Sequence, residues 1–144
     1  MPDSQKSRRH EDWPDRFDRF ILSRLNTPLV WGQQDCCLFA CDWILEATGL
    51  DLAADFRGTY DSAISAARVL KTHNGVLTIA EIQCENYNFP SVAVSYARRG
   101  DVLALGNESY IYLGVSLGSV VAAPGKTKLA FVPIAEAIRA WRID

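Results

Sequence analysis

The sequence has only two histidines, His10 and His73, among its 144 residues. The sequence also has no large excess of positive or negative charge. The formal net charge is −2, and no basic run exceeds two residues. Proteins that bind nucleic acids usually carry a basic patch or stripe. We therefore expect no nucleic-acid partner. With only two histidines, the chain also has few candidates for a catalytic histidine.

Long apolar runs are absent as well. The opening stretch, MPDSQKSRRHEDWPDRF, lacks the apolar core of a secretory signal. No run approaches the roughly 20 apolar residues of a membrane span. We expect a chain without a membrane anchor that starts in a cytoplasm, where its four cysteines would be reduced thiols.

Apolar periodicity predicts helices in the first two thirds of the chain. Residues 1–11 are polar and predict a flexible arm, and residues 12–144 predict a single domain. A first helix is expected from Trp13. A second should run over residues 36–48 and end at Gly49 in the left-handed conformation.

Two further helices are expected, one capped by Asp61 and a short one after Gly75. After Pro90 the chain changes to short segments rich in β-branched and aromatic residues, which predict three or four antiparallel strands. The final segment, IAEAIRAWRI, is read as a helical turn. Helices first and strands afterwards predict an α+β domain.

The most informative stretch is WGQQDCCLFACDW, at residues 31–43. Asp35 can cap the second helix, which would place Cys36 in its first turn. A helix N-terminus stabilises a thiolate, so this is where a cysteine nucleophile would lie. Such a nucleophile also needs a histidine as its general base.

The cysteines allow other interpretations. Cys36, Cys37 and Cys41 fall on one predicted helix, and with Cys84 they could bind a metal through thiolates. There is no C-x-x-C pair, however, and one helix cannot surround a metal ion. We therefore expect packing roles for these thiols, with no metal and no cofactor, and keep the metal site as the weakest alternative.

Three motifs resemble the NlpC-type cell-wall cysteine peptidases, a papain-like family. They are Trp31-Gly32 with Asp35-Cys36, then Gly100-Asp101, then YLGVSLG at residues 112–118. The resemblance implies an NlpC-like papain fold, with helices packed on a small C-terminal antiparallel sheet. It makes Cys36 the nucleophile position.

The resemblance to the NlpC-type peptidases does not extend to the catalytic base. The position of the family's catalytic histidine is occupied by Tyr112. A tyrosine has an unperturbed pKa of about 10 and is a poor base at neutral pH. The site is therefore expected to be degenerate, with Cys36 a vestigial nucleophile. We expect a role other than catalysis and keep the enzyme as the alternative.

The whole pattern more closely resembles small phage-tail and gene-transfer-agent-like proteins. The shared segments are WG-x-x-DCCLFA-x-D, F-R-G-x-Y, GD-V, LGV-x-x-G and a terminal FVP…A-x-R-A-W-R. The resemblance implies a tail-tip or hub component that binds other tail proteins, located in the virion and in the host cytoplasm during assembly. The alternative is an active cysteine hydrolase that cuts peptidoglycan peptides with Cys36. The residues expected to bind partners are Trp31, Tyr60, Trp141 and Arg142.

Overall fold

The protein is described by a computed structural model that covers residues 7–144. Four helices come first: α1 (Trp13–Arg24), α2 (Cys36–Thr48), α3 (Ala63–Thr72) and α4 (Val76–Asn86). Six strands follow: β1 (Ser91–Val92), β2 (Val102–Asn107), β3 (Tyr110–Ser116), β4 (Val120–Pro124), β5 (Leu129–Pro133) and β6 (Ala137–Trp141). They form one antiparallel sheet in the order β1-β6-β2-β3-β4-β5. Within residues 7–144, none of the helices is long and apolar enough to span a bilayer.

Helix α2 begins and ends where its local signals predict. Asp35 is its N-cap and accepts a hydrogen bond from the Leu38 N–H at 2.9 Å. Gly49 ends the helix at φ 83°, a backbone angle that glycine adopts without steric cost. The predicted cap of α3 is corrected by one residue, because Ser62 rather than Asp61 accepts the capping bond.

Aromatic side chains join α1 to α2. The rings of Phe17 and Trp43 meet edge to face at 4.8 Å, and Phe20 packs against Phe39 at 5.2 Å. Trp43 is fully buried and belongs to the core. Its indole N–H donates to the Gly100 carbonyl at 2.7 Å, so α2 also holds the turn that leads into β2.

The two faces of the sheet pack against different clusters. Successive side chains on a strand point to opposite faces. On β3, Leu113 packs in the same core cluster as the cysteine end of α2. Its neighbour Tyr112, paired with Leu105 on β2, packs instead with a separate cluster that contains Leu103 and Leu105.

The C-terminal segment differs from its prediction as a helical turn. Only Ile134–Glu136 form a short 3-10 turn, and the next five residues are β6, which lies between β1 and β2. Alanine, glutamate and arginine favour a helix locally, but pairing with two strands outweighs that preference.

Two residues that were predicted to bind partners, Trp141 and Arg142, lie at the end of β6 and directly after it. Trp141 is 2% exposed and belongs to the main core cluster. The Arg142 Nε donates to buried Asp101 at 3.0 Å, and its other guanidinium nitrogen donates to the Tyr96 carbonyl at 2.7 Å. Trp141 therefore packs in the core, and Arg142 forms an ion pair within the domain.

The N-terminal arm is described from Ser7 onward, and residues 1–6 lie outside the described residues. Arg8 donates to the Asn88 carbonyl at 2.9 Å, and its guanidinium lies 4.1 Å from the centre of the Phe89 ring. Arg9 stacks on Trp13 at 3.9 Å. The described half of the predicted flexible arm is thus held against the domain.

Candidate functional site around Cys36

A buried carboxylate organises the loop before α2. Asp35 is 2% exposed and accepts three hydrogen bonds. Its Oδ1 accepts from the Leu38 N–H, and its Oδ2 accepts from the Gly32 N–H at 3.0 Å and from the Tyr60 hydroxyl at 2.6 Å. Burial and this contact with Asp35 raise the pKa of Tyr60 well above its usual value. Tyr60 is therefore a fixed hydrogen-bond donor and does not act as a base.

Cys36 is the first residue of α2 and is partly exposed. A hydrogen bond from the Cys37 thiol lowers the pKa of Cys36, and one from the backbone of Leu113 adds to this, while burial opposes both. The same hydrogen bond between the two thiols, together with burial, raises the pKa of Cys37 well above its usual value. A lowered pKa at the first residue of a helix is what a cysteine nucleophile requires.

Cys36 opens onto an apolar pocket of about 100 Å³. Residues from α2, α3, α4 and β3 line it, and almost all of its surface is carbon or sulfur. All four cysteines of the chain contribute to this lining. Burial raises the pKa values of Cys41 and Cys84 to about 12, so these two remain protonated at neutral pH.

The thiols are not arranged as metal ligands. Within residues 7–144, no three histidine, cysteine, aspartate or glutamate side chains are grouped in a way that could hold a metal ion. Three of the four thiols project from α2 alone. Thiols on a single helix cannot surround a metal ion, which is the objection raised above to the metal-site alternative.

Both histidines are described, and neither lines the pocket. The backbone N–H of His10 donates to the Ala47 carbonyl at 2.8 Å, at the far end of α2 from Cys36. His73 caps α3, and its Nδ1 lies 2.9 Å from the Val69 carbonyl. Its ring packs edge to face on Phe56 at 5.0 Å. No imidazole therefore shares the pocket with Cys36.

Tyr112, at the position matched to the family histidine, does not line the pocket either. The pleat of β3 turns it to the other face, and burial raises its pKa. The next residue on β3, Leu113, does line the pocket, and its backbone lowers the pKa of Cys36. Trp31 and Cys36 line the pocket, whereas Tyr112 does not.

Of the residues predicted to bind partners, Trp31 and Tyr60 lie at the pocket. Tyr110 lies there too, is 63% exposed, and stacks on Tyr112 with ring centres 5.7 Å apart. Tyr110 was not among the residues predicted from the sequence, although its place at the start of a predicted strand, two residues before Tyr112, was a usable signal. These three aromatic residues line the pocket together with Cys36. Because Trp31 and Tyr60 are partly exposed and Tyr110 is exposed, we take them as its mouth.

The comparisons with known proteins agree with this architecture. Residues 8–143 match the family described as Domain of unknown function (DUF6950). The chain belongs to this family. No protein with a curated description matches it. A solved structure of the NlpC/p60 domain of peptidoglycan hydrolase SagA is similar, with a TM-score of 0.54 and 17% identity, over 88% of this chain and 96% of that chain.

The similarity to the SagA domain is one of fold. It confirms the predicted NlpC-like α+β fold of this DUF6950 member, with its helices in the N-terminal part and its sheet in the C-terminal part. At 17% identity it carries no statement about activity or substrate. Function therefore depends on the residues around Cys36.

Proposed function

We propose that this protein is a non-catalytic, NlpC-like component of a phage-type tail tip that binds other tail proteins. The tail assignment is supported by the motifs that resemble tail and gene-transfer-agent-like proteins, from WG-x-x-DCCLFA-x-D to the terminal A-W-R. The NlpC-like fold is compatible with it.

The observation that carries the non-catalytic part is the placement of the two histidines. General acid–base catalysis contributes about 10²–10⁴-fold to the rate, and here no imidazole lines the pocket of Cys36. Tyr60 donates to Asp35, and Tyr112 lies on the other face of the sheet. Neither tyrosine can replace the base.

The partner surface that we propose is the aromatic mouth of the pocket, made of Trp31, Tyr60 and Tyr110. Aromatic residues at exposed sites are enriched in protein interfaces. The earlier candidates, Trp141 and Arg142, are replaced because both are committed to intramolecular contacts.

The test is the composition of purified tail particles combined with site-specific cross-linking. A photo-reactive residue at Tyr110 should cross-link to a tail subunit. The same residue at Tyr96, which is 72% exposed on a 3-10 turn away from the pocket lining, is the matched control and should not. Absence of the protein from particles, with no cross-link at either position during assembly, would exclude the proposal.

A second candidate function is a cysteine hydrolase that acts on peptidoglycan peptides. The observation in its favour is the lowered pKa of Cys36 at a helix N-terminus. The similar solved domain belongs to a protein named as a peptidoglycan hydrolase. This candidate requires turnover that depends on Cys36, which an activity measurement can detect directly.

A further inference from the structure

The pocket behind Cys36 has a chemical character of its own. Its closed end is formed by buried residues of α2, α4 and the segment after α2, including Ala40, Leu52, Val76, Ala80 and Cys84. The lining there offers carbon and sulfur atoms and almost no polar surface. A charged or strongly polar ligand would lose its hydration in this space without gaining hydrogen bonds.

The size of the pocket indicates a short apolar group. An apolar cavity of about 150 Å³ in another protein is enough to hold a benzene ring. By that scale a space of about 100 Å³ encloses about four carbon atoms. A longer chain would extend outward between the aromatic side chains at the mouth.

Cys36, the candidate nucleophile, lies at the open end of the pocket. Cys36 is partly exposed and lines the pocket together with the more exposed Tyr110. A molecule whose apolar tail enters the pocket would therefore leave its head group close to the Cys36 sulfur. We propose that Cys36 is an S-acylation site and that the apolar pocket behind it holds the acyl chain.

The step is a thioester exchange. The Cys36 thiolate attacks the carbonyl carbon of an acyl thioester such as acyl-coenzyme A, and a new carbon–sulfur bond forms. The bond between the carbonyl carbon and the coenzyme A sulfur breaks, and the departing thiolate takes a proton from water. The step needs no oxidant, reductant or metal, and the proton of the Cys36 thiol passes to solvent water. The Cys37 thiol and the Leu113 backbone lower the pKa of Cys36 and so favour this ionisation.

The same site explains why the product would persist. Hydrolysis of the thioester requires an activated water molecule, and an imidazole is the usual base for that step. Neither histidine lines this pocket. A site that lacks the base loses turnover but retains the first, acyl-accepting half of the reaction.

The test compares two donors on the purified chain, octanoyl-coenzyme A and acetyl-coenzyme A, by intact mass and peptide mapping. Each methylene moved from water into an apolar site favours binding about fourfold. We expect one octanoyl group per chain on Cys36, removable by hydroxylamine, and formed at least about tenfold faster than the acetyl adduct. Cys36→Ala should abolish it. Cys41→Ala, which removes a thiol from the same pocket, should retain it.

A variant that fills the pocket distinguishes the effect of the cavity on acylation from the intrinsic reactivity of the Cys36 thiol. Ala66→Leu should slow octanoylation at least about tenfold while leaving alkylation of Cys36 by iodoacetamide unchanged. If this variant does not fold, octanol added to the wild-type protein should slow octanoylation and spare alkylation. Equal rates for the two donors, labelling spread over several cysteines, or no labelling at all would overturn the proposal. None of these outcomes depends on whether the protein belongs to a tail.

Discussion

The hydroxyl of Tyr60 donates a 2.6 Å hydrogen bond to Asp35, the carboxylate that caps the helix carrying Cys36. A residue from the segment before α3 thereby fixes the loop and the helix start of the candidate site. Because Asp35 is buried, each of its donors compensates part of the cost of holding a carboxylate away from water.

We predict that Tyr60→Phe lowers the free energy of unfolding by about 1–2 kcal/mol, since it removes one donor from a buried acceptor. The matched variant is Tyr110→Phe, at an exposed tyrosine lining the same pocket, and it should change stability by less than about 0.5 kcal/mol. Urea unfolding measures both. Equal stabilities for the two variants would show that the Tyr60 bond does not hold the loop.

Arg142→Ala should destabilise the isolated domain by about 3 kcal/mol, because it leaves the buried carboxylate of Asp101 without its cation. Arg139→Ala is the comparison. Arg139 pairs with Glu81 near the surface, where an ion pair contributes less than about 1 kcal/mol. If Arg142 served only as a partner contact, its removal would leave the isolated domain as stable as the wild type.

Trp43→Ala should cost about 3–5 kcal/mol, since it removes a fully buried ring between α1 and α2. Trp43→Phe keeps an aromatic ring but takes the hydrogen bond away from the Gly100 carbonyl, so a smaller loss of about 1–3 kcal/mol is expected. Thermal unfolding of the two variants and the wild type should give that order. An unchanged melting temperature for Trp43→Ala would contradict the packing described above.

The buried thiols give the stability a pH dependence. Burial raises the pKa of Cys84 to about 12, whereas an unfolded cysteine ionises near 8.5. Above that pH the unfolded chain loses its proton first, so stability should fall by about 1.4 kcal/mol per pH unit for this group. Urea unfolding between pH 8 and 10 should show a shallower decline for Cys84→Val than for the wild type. Parallel declines would mean that Cys84 is not perturbed in the folded state.

Local sequence signals predicted the part of the site that local interactions determine. An aspartate that accepts hydrogen bonds from a helix N-terminus and a glycine at φ 83° are short-range features, so Asp35 and Gly49 could be assigned from the sequence. Helix–strand order predicted the α+β class, and the resemblance of three motifs to NlpC-type peptidases implied the NlpC-like fold, which the structural comparison confirms.

The remaining features depend on tertiary structure. A shift of one residue along a strand moves a side chain to the opposite face, so a motif match alone could not place Tyr112 relative to Cys36. The C-terminal segment has helix-favouring residues, and only its pairing with β1 and β2 makes it a strand. The pocket depends on how α3 and α4 pack over α2, which no spacing in the sequence reveals.

An NlpC-like domain that retains its nucleophile position without a working base should not hydrolyse peptidoglycan peptides. The most direct measurement is release of products from purified peptidoglycan stem peptides, followed by mass spectrometry, for the wild type and Cys36→Ser. We predict that neither protein releases products above the buffer control. Release by the wild type that disappears in Cys36→Ser would contradict the claim and establish the hydrolase.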